Sequence, residues 1–155
     1  MRFIVMIILL ALQTTIIPFF QIKGIKPDLP LVYAFCLSLT KSENIGASMG
    51  LFVGILEDLM YGRFLGFNAL SKFISCYLLG YGSHDIFKGP VVITMGLVFL
   101  GTFFYNLIFV IIGFLLGELT HPWLFFLPAA LSSALYNTVI SPFMYYLVAK
   151  IEDFL

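Results

Sequence analysis

The sequence predicts an all-α protein, a polytopic transmembrane bundle of six helices, and three observations carry that prediction. Of 155 residues, 61% are hydrophobic and only 10% charged, against roughly a quarter charged in an ordinary soluble domain. The mean hydropathy is +1.08, and the apolar residues come in long runs rather than in the alternating ~10-residue segments of a membrane barrel. Polar punctuation (QIKGIKPD, TKSEN, GRFLG, GSHDIFK and ELTHP) cuts the chain into runs at about 3–20, 28–42, 45–61, 66–82, 90–117 and 123–149. A helix needs about 20 mostly apolar residues to cross the ~30 Å hydrocarbon core. The six runs make one integral membrane domain over residues 1–155.

The first run follows Arg2, but no small-residue cleavage pattern closes it. Gln13, Thr14 and Thr15 lead straight to Pro18, so it is read as a spanning helix rather than a leader. In the second, Asp28 stands between Pro27 and Pro30, which predicts an N-cap with proline in the first turn. The strictly apolar part of this run is short, and its helix is expected to be short, tilted or broken.

The third run raises the main question. Gly46, Gly50 and Gly54 recur every fourth residue, and Asp58 continues the row, so all lie along one stripe of a helix. In lipid, where no hydrophobic drive joins helices, such a stripe lets backbones approach closely. The groove holds either a neighbouring helix of the same bundle or a helix of another protein. At its end stand two acids, Glu57 and Asp58. A carboxylate in hydrocarbon costs on the order of 2.5–3.5 kcal/mol and needs a partner, a proton or water. If the chain turns near Leu65, then Asp58 and Lys72 of the fourth run lie seven residues to either side of it. The expectation is an Asp58–Lys72 membrane ion pair, with Arg63 or solvent taking Glu57. The fifth and sixth runs repeat the arithmetic: about the turn at His121, Asn106 and Asn137 fall at matching depth, each preceded by tyrosine. They are expected to make an interhelical polar contact.

Charge excludes more than it assigns. Eight basic and eight acidic residues cancel, leaving no basic surface for nucleic acid. Arg2, Lys41, Lys88 and Lys150 against Lys23, Lys26 and Arg63 lean toward both termini being cytoplasmic. Cys36 and Cys76 lie far apart within apolar runs and read as core residues. There is no GxSxG, HExxH or GxxxxGK[ST] motif, and the only histidines, His84 and His121, fall in connections on opposite faces. The sequence offers no catalytic, cofactor or metal site.

The run KPDLPLVYAFCLSL, a short break, and then GASMGLFVGILEDLMYGRFLGFNALSKFISCYLLGY resembles the rod shape-determining protein MreD family. The pattern is a Pro-Asp-Leu opening a helix, a glycine-spaced helix ending in Asp-Leu, then Gly, Leu-Gly and Asn-Ala-Leu. Pro27, Asp28, Gly50, Gly54, Asp58, Leu65, Gly66 and Ala69 match it; Glu57 departs from it. The resemblance implies a non-enzymatic, multi-pass protein of the bacterial plasma membrane, without a cofactor. It would be a scaffold of the cell-elongation machinery that binds an MreC-like single-span partner, and through it MreB and the RodA/penicillin-binding-protein synthase of lateral peptidoglycan. It also implies a fold similar to the substrate-binding subunits of energy-coupling-factor transporters. The alternative function is therefore a substrate-binding membrane subunit of a small-molecule transporter, with Asp58, Lys72, Asn68 and Asn106 lining a cavity. A third has such a cavity hold a lipid or cell-wall precursor. A cavity with convergent polar groups would discriminate them.

Overall fold

The computed structural model describes residues 1–22, 24–61, 64–83, 91–117 and 123–153, of which 123–125 through their backbone alone. Arg63, His84 and His121 fall outside these residues. The described residues form six α-helices in chain order: α1 (Arg2–Thr15), α2 (Leu29–Thr40), α3 (Glu43–Tyr61), α4 (Phe67–Ser83), α5 (Val91–Leu115) and α6 (Trp123–Glu152). A 3₁₀ turn (Ile17–Phe20) follows α1, because Pro18 lacks the N–H that would continue the helix. Among the described residues there is no strand.

The run LPLVYAFCLSLT has no polar face, and a helix apolar all round must be buried. It forms α2, whose residues Leu29 through Leu39 are all buried, packed against α1, α3, α4, α5 and α6. Twelve residues at 1.5 Å each span about 18 Å, well short of the ~30 Å core. This central helix therefore begins deep inside the bundle, level with Asn137 near the middle of α6. Among the described residues one helix, α5, is long and apolar enough by length and composition to cross a membrane.

The glycine row is closed from within the chain. A Cβ on Gly46 would meet the backbone of α2, 2.6 Å from Ser38 N and 2.7 Å from Ala34 O. On Gly50 and Gly54 it would meet α4, 3.1 Å from Lys72 O and 2.5 Å from Ala69 N respectively. Of the two readings of this stripe, the structure takes internal packing; the partner-groove reading is corrected, because α2 and α4 already occupy the groove at backbone contact.

Polarity is inverted relative to a water-soluble fold. Lys72, Asp58, Asn137 and Thr102 are buried, while Phe19, Leu65, Val92, Leu115, Val139 and Phe143 are exposed. An apolar exterior this continuous exceeds what monomers present to water and fits a membrane protein. At one end of the bundle the termini meet. The Arg2 guanidinium grips Glu152 with two bonds of 2.5 and 2.6 Å, and Lys41 Nζ lies 3.4 Å away. The fork of hydrogen bonds from Arg2 holds the Glu152 carboxyl below its ordinary range.

Candidate functional site

Starting a helix inside the bundle leaves first-turn N–H groups without water, and each must find an acceptor. At α2 the accounting is complete. Asp28 N–H donates to Asn137 Oδ1 at 2.9 Å, and Leu29 N–H to Gln13 Oε1 at 2.7 Å. Pro30 has no N–H, and Leu31 N–H donates to the N-cap Asp28 Oδ1 at 3.0 Å. Three polar side chains from α1, α6 and the N-cap itself are thus tied to one helix start. Asn137 is fixed further by donating to Thr102 Oγ1 of α5 at 3.2 Å.

The start of α4 is built likewise, with its cap lent by α3. Gly66, at φ 100°, holds the left-handed turn that glycine favours, and its N–H donates to Asp58 Oδ2 at 2.9 Å. Ala69 N–H donates to the same oxygen at 3.1 Å. Asp58 Oδ1 accepts from Asn68 N at 3.0 Å and Asn68 Nδ2 at 2.9 Å. Four donors consume this carboxylate, whose charge also suits a helix N-terminus.

Lys72, one turn further along α4, is fully buried. Its Nζ donates to Asp28 Oδ2 and to Glu57 Oε1, each at 2.7 Å, and lies 5.9 Å from the centre of the Tyr105 ring. The Asp58–Lys72 ion pair expected from the sequence is therefore corrected. The hairpin register is right in depth, but Asp58 is spent on the α4 cap, and the deep start of α2 delivers Asp28 to Lys72 instead. The Asn106–Asn137 contact is corrected too: Asn106 Nδ2 bonds back to Thr102 O of its own helix at 2.8 Å, while Asn137 turns to Asp28 and Thr102. Beside the lysine lies a cavity of about 280 Å³, lined among others by Gln13, Lys26, Asp28, Glu57, Asn68 and Tyr105.

Comparison with known proteins matches residues 1–151 to the family described as rod shape-determining protein MreD. The chain belongs to the MreD family. Membership places it among membrane proteins of rod-shape determination. No curated protein and no solved structure matches the chain, so the likeness to energy-coupling-factor subunits gains no support from known structures. Of the MreD-pattern positions, Asp28 is the α2 cap, Asp58 the α4 cap, Gly66 the turn and Ala69 the surface against Gly54; Pro27 is buried and Leu65 exposed. Sequence reasoning missed Gln13, Tyr105 and the bond from Lys72 to Glu57; the expected Arg63–Glu57 contact lies outside the described residues. The available signal was the short second run: a helix beginning at half depth needs side-chain acceptors, and Gln13 is a polar residue inside an apolar run.

Proposed function

We propose that this chain is a non-enzymatic, multi-pass scaffold of the cell-elongation machinery in the bacterial plasma membrane, with both termini in the cytoplasm. In this reading it holds an MreC-like single-span protein and thereby supports lateral peptidoglycan synthesis by a RodA/penicillin-binding-protein synthase aligned with MreB. The observation that carries the proposal is the family match over residues 1–151. Two structural features support it. The polar side chains at the centre are largely engaged in holding helix ends together, which suits a rigid platform. The outer faces are apolar and, on α4, carry Phe73, Tyr77 and Tyr81 in a stacked row with ring centres 6.4 and 6.2 Å apart. With the glycine row filled internally, the partner's helix docks on such an outer face. The scaffold reading is tested by purifying the chain from its host membrane in mild detergent and identifying co-purifying proteins. Recovery of a single-span coiled-coil protein, lost on replacing Tyr77 and Tyr81 by Ala, supports it; recovery of the chain without such a protein refutes it.

One observation favours the second reading, a substrate-binding membrane subunit of a small-molecule transporter: the polar cavity beside Glu57. Co-purification of an ATPase pair and a coupling membrane subunit would establish that reading in place of the first.

A further inference from the structure

The two walls of the cavity beside Lys72 differ in chemistry. On the α1 side stands Gln13, only 7% exposed. Its Oε1 is taken by Leu29 N–H, and among the described residues its Nε2 has no acceptor, which leaves the amide N–H groups able to donate at the cavity that Gln13 lines. Lys26 lies on the exposed surface beside the cavity. The opposite wall carries acceptors. Glu57 Oε1 is bound to Lys72 and Asn68 Nδ2 to Asp58; among the described residues nothing donates to Glu57 Oε2 or Asn68 Oδ1. Tyr105 completes this wall, its ring 5.9 Å from Lys72 Nζ. Charge follows the same division. Asp28 and Glu57 bring two negative charges against the single positive charge of Lys72, while Asp58 is consumed by its four donors. Among the described residues the inner wall is thus negative by one charge, and Lys26 is the cation that lines the cavity with it.

A primary ammonium has three donors and no acceptor, and an aromatic face attracts it; the inner wall offers Glu57 Oε2, Asn68 Oδ1 and the Tyr105 ring. An anion suits Gln13 Nε2 and Lys26. The volume of about 280 Å³ falls below the ~300–1,000 Å³ of pockets for drug-sized ligands, which limits the occupant to a headgroup or one small molecule. We propose that this cavity binds ethanolamine phosphate, its ammonium against Glu57, Asn68 and Tyr105 and its phosphate between Gln13 and Lys26. The group arrives either as the headgroup of a phospholipid or as the free compound. This proposal does not rest on the scaffold reading, since its readout is binding by the purified chain.

The test uses the full chain in phosphatidylcholine nanodiscs. Phosphatidylethanolamine is added against equal phosphatidylcholine and retention is read by native mass spectrometry; in parallel, free O-phosphoethanolamine and phosphocholine are titrated against thermal unfolding. The wild type should retain the ethanolamine lipid, or be stabilised by O-phosphoethanolamine, in preference to the choline analogue, which cannot donate hydrogen bonds. Glu57→Gln, which still accepts from Lys72, should weaken binding about tenfold or more, as loss of a charge-assisted bond predicts. Lys26→Glu, at an exposed position, should weaken it without disturbing the fold. Retention of the lipid identifies a headgroup site, and stabilisation by the free compound alone identifies a soluble ligand. Equal binding of ethanolamine and choline forms, no binding of either, or wild-type binding by both variants overturns the proposal.

Discussion

Replacing Lys72 by Met tests the centre of the structure most directly. The side chain is fully buried and its Nζ makes two bonds of 2.7 Å, to Asp28 and Glu57. At an effective dielectric of about 20, each contact is worth roughly 6 kcal/mol of gross Coulomb attraction, most of it offset by desolvating the three ions. Methionine fills the same space but leaves two carboxylates facing each other with no cation between them. Breaking a buried pair in this way costs about 3–5 kcal/mol. The cost belongs to the stranded acids, so neutralising them should restore stability. Glu57→Gln in the Lys72→Met background should recover about 1.5 kcal/mol or more, within the range of direct couplings. Adding Asp28→Asn, which can still cap α2, should recover most of the rest. The assay is unfolding in mixed micelles followed by far-UV circular dichroism. A Lys72→Met variant within about 0.5 kcal/mol of wild type, the range of an uninvolved surface site, would refute the buried ion cluster.

Other perturbations separate the remaining features. Gly54→Ala puts a methyl 2.5 Å from Ala69 N and should cost about 1–3 kcal/mol by overpacking; Gly82→Ala, with nothing within 4 Å, should be neutral or slightly stabilising, and the two unfolding midpoints decide it. Asp58→Ala strips four donors at the start of α4 and should cost about 2–4 kcal/mol, whereas Asn106→Ala, losing only a bond back to its own helix, should cost no more than about 0.6 kcal/mol. The Arg2–Glu152 clasp gives a pH dependence. The folded carboxyl lies below its ordinary value of 4.5, so its contribution is present above that pH and lost as pH falls through the lowered folded value. The stability difference between wild type and Glu152→Gln should therefore be constant near neutrality and shrink in acid below about pH 4.5, as read from thermal unfolding across that range.

The sequence showed the helices and hid the pairing among them, for a physical reason. Helices in such a chain follow from uninterrupted apolar runs, and the cap at Asp28 and the close approach at Gly46, Gly50 and Gly54 are local signals that need no knowledge of neighbours. The partner of Lys72 is not local. Counting residues about Leu65 treats α3 and α4 as an isolated hairpin and places Asp58 at the right depth, but two facts outside that hairpin decide the outcome. The start of Phe67–Ser83 presents N–H groups that Asp58 of α3 accepts, which removes Asp58 from the competition. The helix Leu29–Thr40 starts at half depth, which brings Asp28 in from a segment more than forty residues away in sequence. Asn106 and Asn137 fail as a pair in the same way: depth matched, but the unpaired N–H of Asp28 was a stronger claimant for Asn137.

The glycine row and the acid pair are then parts of one device rather than two motifs that happen to adjoin. Asp58 can reach the N–H groups of Gly66, Asn68 and Ala69 only because Gly54 lets the α4 backbone come to within contact of α3. The same approach sets Lys72 beside Glu57. A methyl at position 54 that holds the helices apart must therefore also lengthen the bonds to Asp58. This dependence predicts non-additivity. Gly54→Ala and Asp58→Asn should together cost less than the sum of their separate costs, by about 0.5–3 kcal/mol, the range for residues that share an arrangement. Unfolding free energies of the four members of that cycle measure it. Strict additivity would mean that the α4 cap forms whether or not the helices touch at Gly54, and the row of glycines would then serve packing alone.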